Sequence, residues 1–122
     1  MRLLIVDDEP DIIRFLDYAL SLEHTVTATS DARLAEKALL DCDFDVLLTD
    51  YNMPQLSGQH LCKLAHERNA NCTTIVITGD EDFEDTHPKH VDKILKKPVS
   101  IMHVMQLVAS LAKEKPTKGT ES

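Results

Sequence analysis

The sequence predicts an α/β fold in which parallel strands are buried in one sheet and joined by helices covering both of its faces. Three observations predict it. Four short apolar runs, Leu3–Val6, Val46–Leu48, Ile75–Ile77 and Ile94–Leu95, each meet a polar or turn-forming residue within three positions, as buried strands do. The segments between them repeat apolar residues at helical spacing. Finally, a chain of 122 residues that is 43% hydrophobic and 28% charged has the size and composition of a single folded unit.

Each element can be justified in order. Leu3–Val6 runs into Asp7-Asp8-Glu9, and Pro10 then signals a helix start, with Ile12, Phe15, Leu16, Ala19 and Leu20 as its apolar positions. His24–Thr29 alternates Val26 and Ala28 with Thr25, Thr27 and Thr29, the pattern of an edge strand with one wetter face. Ser30–Asp31 opens a second helix through Ala32, Ala35, Ala38 and Leu39. Val46–Leu48 leads to Asp50, and Ser57–Gly58 precedes a helix carrying Leu61, Leu64 and Ala65. After Ile75–Ile77, the segment Thr78–Val91 holds Gly79, Pro88 and many acidic residues, leaving little apolar stripe, so only a short helix is expected there. Ile94–Leu95 ends at Lys97–Pro98, and a last helix presents Ile101, Val104, Met105, Val108, Leu111 and Ala112. Strict alternation of this kind implies right-handed crossovers between parallel strands. One domain is therefore expected at residues 1–113, with a flexible tail or linker at 114–122, where apolar residues are absent.

Composition excludes several function classes. With 13 Lys+Arg against 21 Asp+Glu the net charge is -8, which argues against nucleic-acid binding through a broad basic face and suits a cation or a basic partner patch. The longest uncharged stretch, Pro98 to Ala112, falls short of the ~20 apolar residues needed to span a bilayer. The N-terminus runs directly into acids and lacks the h-region of a signal peptide, so a cytoplasmic location is expected. Cys42, Cys62 and Cys72 form an odd set without a CxxC pair and read as free thiols or small hydrophobes. His60, His66, His87, His90 and His103 show no metal-ligand spacing with one another; they and His24 are expected at surface or boundary positions.

In an open parallel sheet, ligands bind beyond the carboxyl ends of the strands. Those ends are unusually polar in this chain: Asp7-Asp8-Glu9 after the first strand, Asp50 after the third, Thr78 after the fourth and Lys97–Pro98 after the fifth. Any one of these residues alone is an ordinary solvated loop residue. Together, three carboxylates, a hydroxyl and an ammonium at one sheet edge make a hard-oxygen cation site with a counter-charge suited to phosphate.

The run Leu47-Leu48-Thr49-Asp50-Tyr51-Asn52-Met53-Pro54, with Asp7–Asp8, Thr78 and Lys97–Pro98, resembles the receiver domains of two-component response regulators. The resemblance spans Arg2 to about Lys113, and its motifs fall in order, each at the end of its own strand. It implies a flavodoxin-like (βα)5 sheet with strand order 2-1-3-4-5. It further implies that Asp50 accepts a phosphoryl group from a sensor histidine kinase or histidine phosphotransfer protein. In the same way it assigns Mg²⁺ to Asp8 and Asp50, with Asp7 holding the metal's waters and the Asn52 backbone carbonyl completing the ligands. Lys97 and Thr78 would contact the phosphoryl oxygens, and Glu9 would be a charge on the rim. The resemblance implies no enzyme beyond self-phosphorylation and dephosphorylation, and no nucleic-acid or membrane contact by this domain.

Two features depart from the family pattern. Ile94 stands three residues before Lys97, where an aromatic is usual, and the segment after Thr78 is short and acidic. Output is expected through residues 79–113 as a homodimer or partner face; Met102, Leu107 and Ala109 lie beside the core set of the last helix, which reads first as a fully covered helix and otherwise as that face. Two other readings stand beside this one. A Mg²⁺-dependent phosphohydrolase of the haloacid dehalogenase type needs a second carboxylate two residues after its nucleophile, where this chain has Asn52. A receiver-like adaptor that never takes phosphate is disfavoured by the intact set of Asp8, Asp50, Thr78 and Lys97.

Overall fold

The computed structural model describes residues 1–80, 83 and 88–114. Its sheet contains β1 (Arg2–Val6), β2 (Thr25–Thr29), β3 (Val46–Asp50), β4 (Thr73–Thr78) and β5 (Lys93–Lys96), all parallel and in the order β2-β1-β3-β4-β5. The described helices are α1 (Pro10–Ser21), α2 (Ala32–Asp41), α3 (Gly58–Arg68) and α4 (Ile101–Glu114). This is the flavodoxin-like order. The short helix expected between β4 and β5 falls largely outside the described residues. So do residues 115–122 of the expected tail; Glu114 itself closes α4.

Local chemistry sets the helix starts. Pro10 occupies the first turn of α1, where a missing N–H costs nothing. The Asp31 carboxylate accepts from the Arg33 N–H to cap α2, and the Ser57 hydroxyl accepts from the His60 N–H to cap α3. Each cap ends the preceding loop at a fixed point, so each crossover returns the chain to the next strand.

Strand alternation splits the interior into two layers. Leu3, Ile5, Val46, Leu48, Ile75, Ile77 and Leu95 pack against Leu16 and Leu20 of α1 and Val104, Val108 and Leu111 of α4. Leu4, Val6, Leu47 and Val76, with Ile94 packed alongside, meet Ala35 and Leu39 of α2 and Leu61, Cys62 and Ala65 of α3. In β2 only Val26 and Ala28 join the core, as an edge strand requires. Cys62 and Cys72 are buried, and burial pushes the Cys62 thiol up to about 12, which keeps it an inert hydrophobe.

Two sequence expectations are corrected. Phe15 is 63% exposed, because the inward stripe of α1 runs through Ile12, Leu16 and Leu20 and leaves Phe15 on the outer flank. Met105 is exposed likewise, beside the Val104–Val108–Leu111 stripe of α4. His66 and His90 lie at boundary and exposed positions, as expected, and their rings meet. No helix among the described residues is long and apolar enough to cross a membrane.

Candidate functional site

The carboxyl ends of β1, β3, β4 and β5 bring the expected residues together. One carboxylate oxygen from each of Asp7, Asp8 and Asp50 lies within 4.8 Å of the others. Asp7 and Asp50 are buried, whereas Asp8 is exposed, so the cluster opens to solvent on one side. Lys97 Nζ donates to Asp50 Oδ2 at 3.2 Å and stands 3.9 Å from the Glu9 carboxylate. Glu9 is thus on the rim, where the sequence places it. Lys97 follows the last residue of β5, is joined to Pro98 by a cis peptide, and donates its backbone N–H to the Thr78 carbonyl. Asn52 is exposed in the loop after β3, two residues beyond Asp50.

Electrostatics follow from this crowding. Burial is the main cause that pushes Asp7 from 3.8 up to about 6; Asp50 and Glu9 add to the rise, while the Glu9 N–H and Lys97 oppose it. Burial also raises Asp50 above the ordinary carboxylate range, with Asp8 contributing in the same direction, against the pull of Lys97. For Lys97, burial works against the ammonium, yet the hydrogen bond and charge of Asp50, with Asp7 and Glu9, raise it overall. Two carboxyls held above their ordinary range beside a fixed ammonium form a site short of positive charge, and three convergent oxygens are the donor set a hard divalent cation takes.

Thr78 is buried at the end of β4, and its Oγ1 accepts from the Asp80 N–H at 3.1 Å. That leaves the hydroxyl proton as a donor. The sequence reading missed two supports. Gly58 sits so near β3 that a Cβ there would stand 2.5 Å from the Asp50 carbonyl oxygen and 2.9 Å from the Tyr51 Cα, so only glycine lets α3 start at this point. Its N–H donates to the Tyr51 carbonyl at 2.8 Å. The second support is Phe83, buried against Tyr51 with ring centroids 4.4 Å apart in an edge contact. The Ser57–Gly58 pair is a visible helix-start signal, but nothing in sequence reports the close approach.

The model of the response regulator receiver domain matches residues 3–109. The chain belongs to this receiver family. It is 30% identical over 128 residues to the response regulator SaeR of Staphylococcus epidermidis, covering 98% of this chain and 56% of that protein. The receiver thus spans about half the length of that regulator. The receiver domain of the Francisella response regulator 1452 superposes with a TM-score of 0.80 at 26% identity, covering 93% of this chain and 97% of that one. The response regulator TrrA of Thermotoga maritima, solved with Mg²⁺-BeF, superposes with a TM-score of 0.76 at 22% identity, covering 90% of this chain and 97% of that one. Membership does not favour the phosphohydrolase alternative.

Proposed function

We propose that this receiver domain is a phosphorylation-dependent switch in a two-component phosphorelay, taking a phosphoryl group onto Asp50 and changing its partner binding in response. The observation that carries this reading is the convergence of Asp7, Asp8 and Asp50 around a carboxylate already held by Lys97. In the transfer, a carboxylate oxygen of Asp50 forms the new bond to phosphorus as the donor's P–N bond breaks. The imidazole of the kinase or phosphotransfer protein departs with the bonding pair.

This chain's residues have distinct parts. Asp7, Asp8 and Asp50, with the Asn52 carbonyl, would hold Mg²⁺, which when bound supplies the charge neutralisation that lets a dianionic donor approach an acidic site. Lys97 fixes the Asp50 carboxylate and offers its ammonium to the incoming phosphoryl oxygens as a point charge. Thr78 offers its hydroxyl proton to the same oxygens. The switch acts in a cytoplasmic phosphorelay, and residues 1–113 form its functional unit.

Acetyl phosphate with Mg²⁺ should add one phosphoryl group, labile to alkali and hydroxylamine, and Asp50→Ala should remove the label. Label retained in that variant, or steady turnover of a generic phosphate ester by the wild type, would overturn the reading.

The output reading rests on Ile94, packed in the α3 layer together with Tyr51, Phe83 and Val91. Since Ile94 cannot swing as an aromatic does, coupling should run through residues 79–90, of which 81, 82 and 84–87 lie outside the described residues. Loading with beryllofluoride should raise hydrogen-exchange protection across residues 79–113. Unchanged protection despite confirmed loading would place the output elsewhere.

A further inference from the structure

At the opposite edge of the sheet, where β4 and β5 begin, His66 of α3 meets His90 with their Nδ1 atoms 3.4 Å apart and ring centroids 5.5 Å apart. We propose that this imidazole pair is a Zn²⁺ site, separate from the acidic cluster and clamping α3 to the chain entering β5.

The argument starts behind the pair. His66 Nε2 lies 3.0 Å from Asp92 Oδ2, and an ionised carboxylate only accepts, so Nε2 carries the hydrogen. In the neutral ring, Nδ1 is then left as an acceptor, and with no metal bound it faces the His90 Nδ1 across a hydrogen bond. A carboxylate behind a histidine is the arrangement that orients metal-binding imidazoles and strengthens them as ligands. Asp92 is itself fixed, since its Oδ2 accepts from the Thr74 N–H at 2.9 Å and its own N–H donates to the Thr74 carbonyl at 2.9 Å.

His90 is held from its backbone. It adopts a positive φ of 64°, which few side chains tolerate, and its carbonyl accepts from the Thr74 hydroxyl. The ring is exposed, so a metal that displaces the hydrogen bond to His66 can leave the His90 proton on Nε2 in contact with water and take Nδ1 as a second ligand.

Donor type and spacing both suit Zn²⁺. Tetrahedral Zn²⁺ with Zn–N bonds of ~2.0–2.1 Å sets two nitrogens about 3.3 Å apart, close to the spacing observed. Adjacent octahedral donors at similar bond lengths would stand about 2.9 Å apart, and Mg²⁺ prefers oxygen. Two waters complete the tetrahedron, so the site binds more weakly than a closed four-ligand centre.

The test titrates Zn²⁺ into the full chain at about neutral pH, with thiols reduced and Mg²⁺ in excess to occupy the acidic cluster, while imidazole ¹⁵N shifts are followed. One equivalent should move Nδ1 of both His66 and His90. His90→Asn, which tolerates the positive φ, should weaken binding at least about tenfold, and Asp92→Asn should weaken it about 10–100-fold. Zinc that leaves both imidazoles unmoved, held instead by cysteines or by the acids, would overturn the proposal. So would wild-type affinity in His90→Asn, whose exposed side chain can be removed without emptying the core.

Discussion

Asp7→Asn should stabilise the metal-free protein at neutral pH by up to about 3 kcal/mol, the equivalent of moving a carboxyl about two pH units from its ordinary value. The sign follows from proton binding. Because Asp7 titrates near 6 in the fold and near 3.8 when unfolded, the native state holds the extra proton between those values. Wild-type stability therefore falls as pH rises from about 4 to about 6, and the deficit persists above. Asp50, raised as well, adds in the same direction. Below about pH 4 the variant and the wild type should converge. Urea titrations at stepped pH measure this directly, and parallel curves would show that Asp7 carries no such penalty. Mg²⁺ among the carboxylates should recover the lost stability and raise the thermal midpoint of the wild type. Asp8→Asn should lose most of that gain.

Gly58→Ala should cost about 2 kcal/mol, although alanine is ordinarily the better helix former. The added carbon would meet backbone atoms, the Asp50 carbonyl and the Tyr51 Cα, which have no flexible end to move aside. Relief requires α3 to slide off β3 or the residue-50 peptide to tilt, and the second displaces the carboxylate from Lys97. Denaturant unfolding should therefore show the loss together with slower labelling by acetyl phosphate. A variant as stable as the wild type would mean that α3 has slack at its start. Slow labelling without destabilisation would point to the tilted peptide alone.

Much of this was legible in the sequence because the fold uses strong local signals. Pro10, Asp31 and Ser57 start helices where their chemistry demands, and the four apolar runs are the interior strands and one edge. The strand-end acids could be grouped because parallel strands all finish at one edge. Strand order was different: periodicity allows any parallel arrangement, and 2-1-3-4-5 came only with the family resemblance. Amphipathic pattern also misjudged Phe15 and Met105, since a wide apolar stripe does not reveal which flank the neighbouring helices leave uncovered. His66 and His90 are 24 residues apart and lie on different elements. Their meeting depends on how the chain enters β5, which no local rule encodes.

The two-layer interior has a consequence for how the domain is read by others. Along a strand, odd and even residues point to opposite sides, and Asp50 shares its parity with Val46 and Leu48, on the α1 and α4 side. Thr78 shares its parity with Val76, on the α2 and α3 side, and so does Ile94. The sheet therefore acts as a partition, with the proposed phosphoryl site seated across its rim. A partner at α4 would stand on the same side as the Asp50 carboxylate, whereas one at α3 would stand on the side of the Thr78 hydroxyl. One chemical event can thus be presented on two faces, and tuning one layer need not disturb what the other displays.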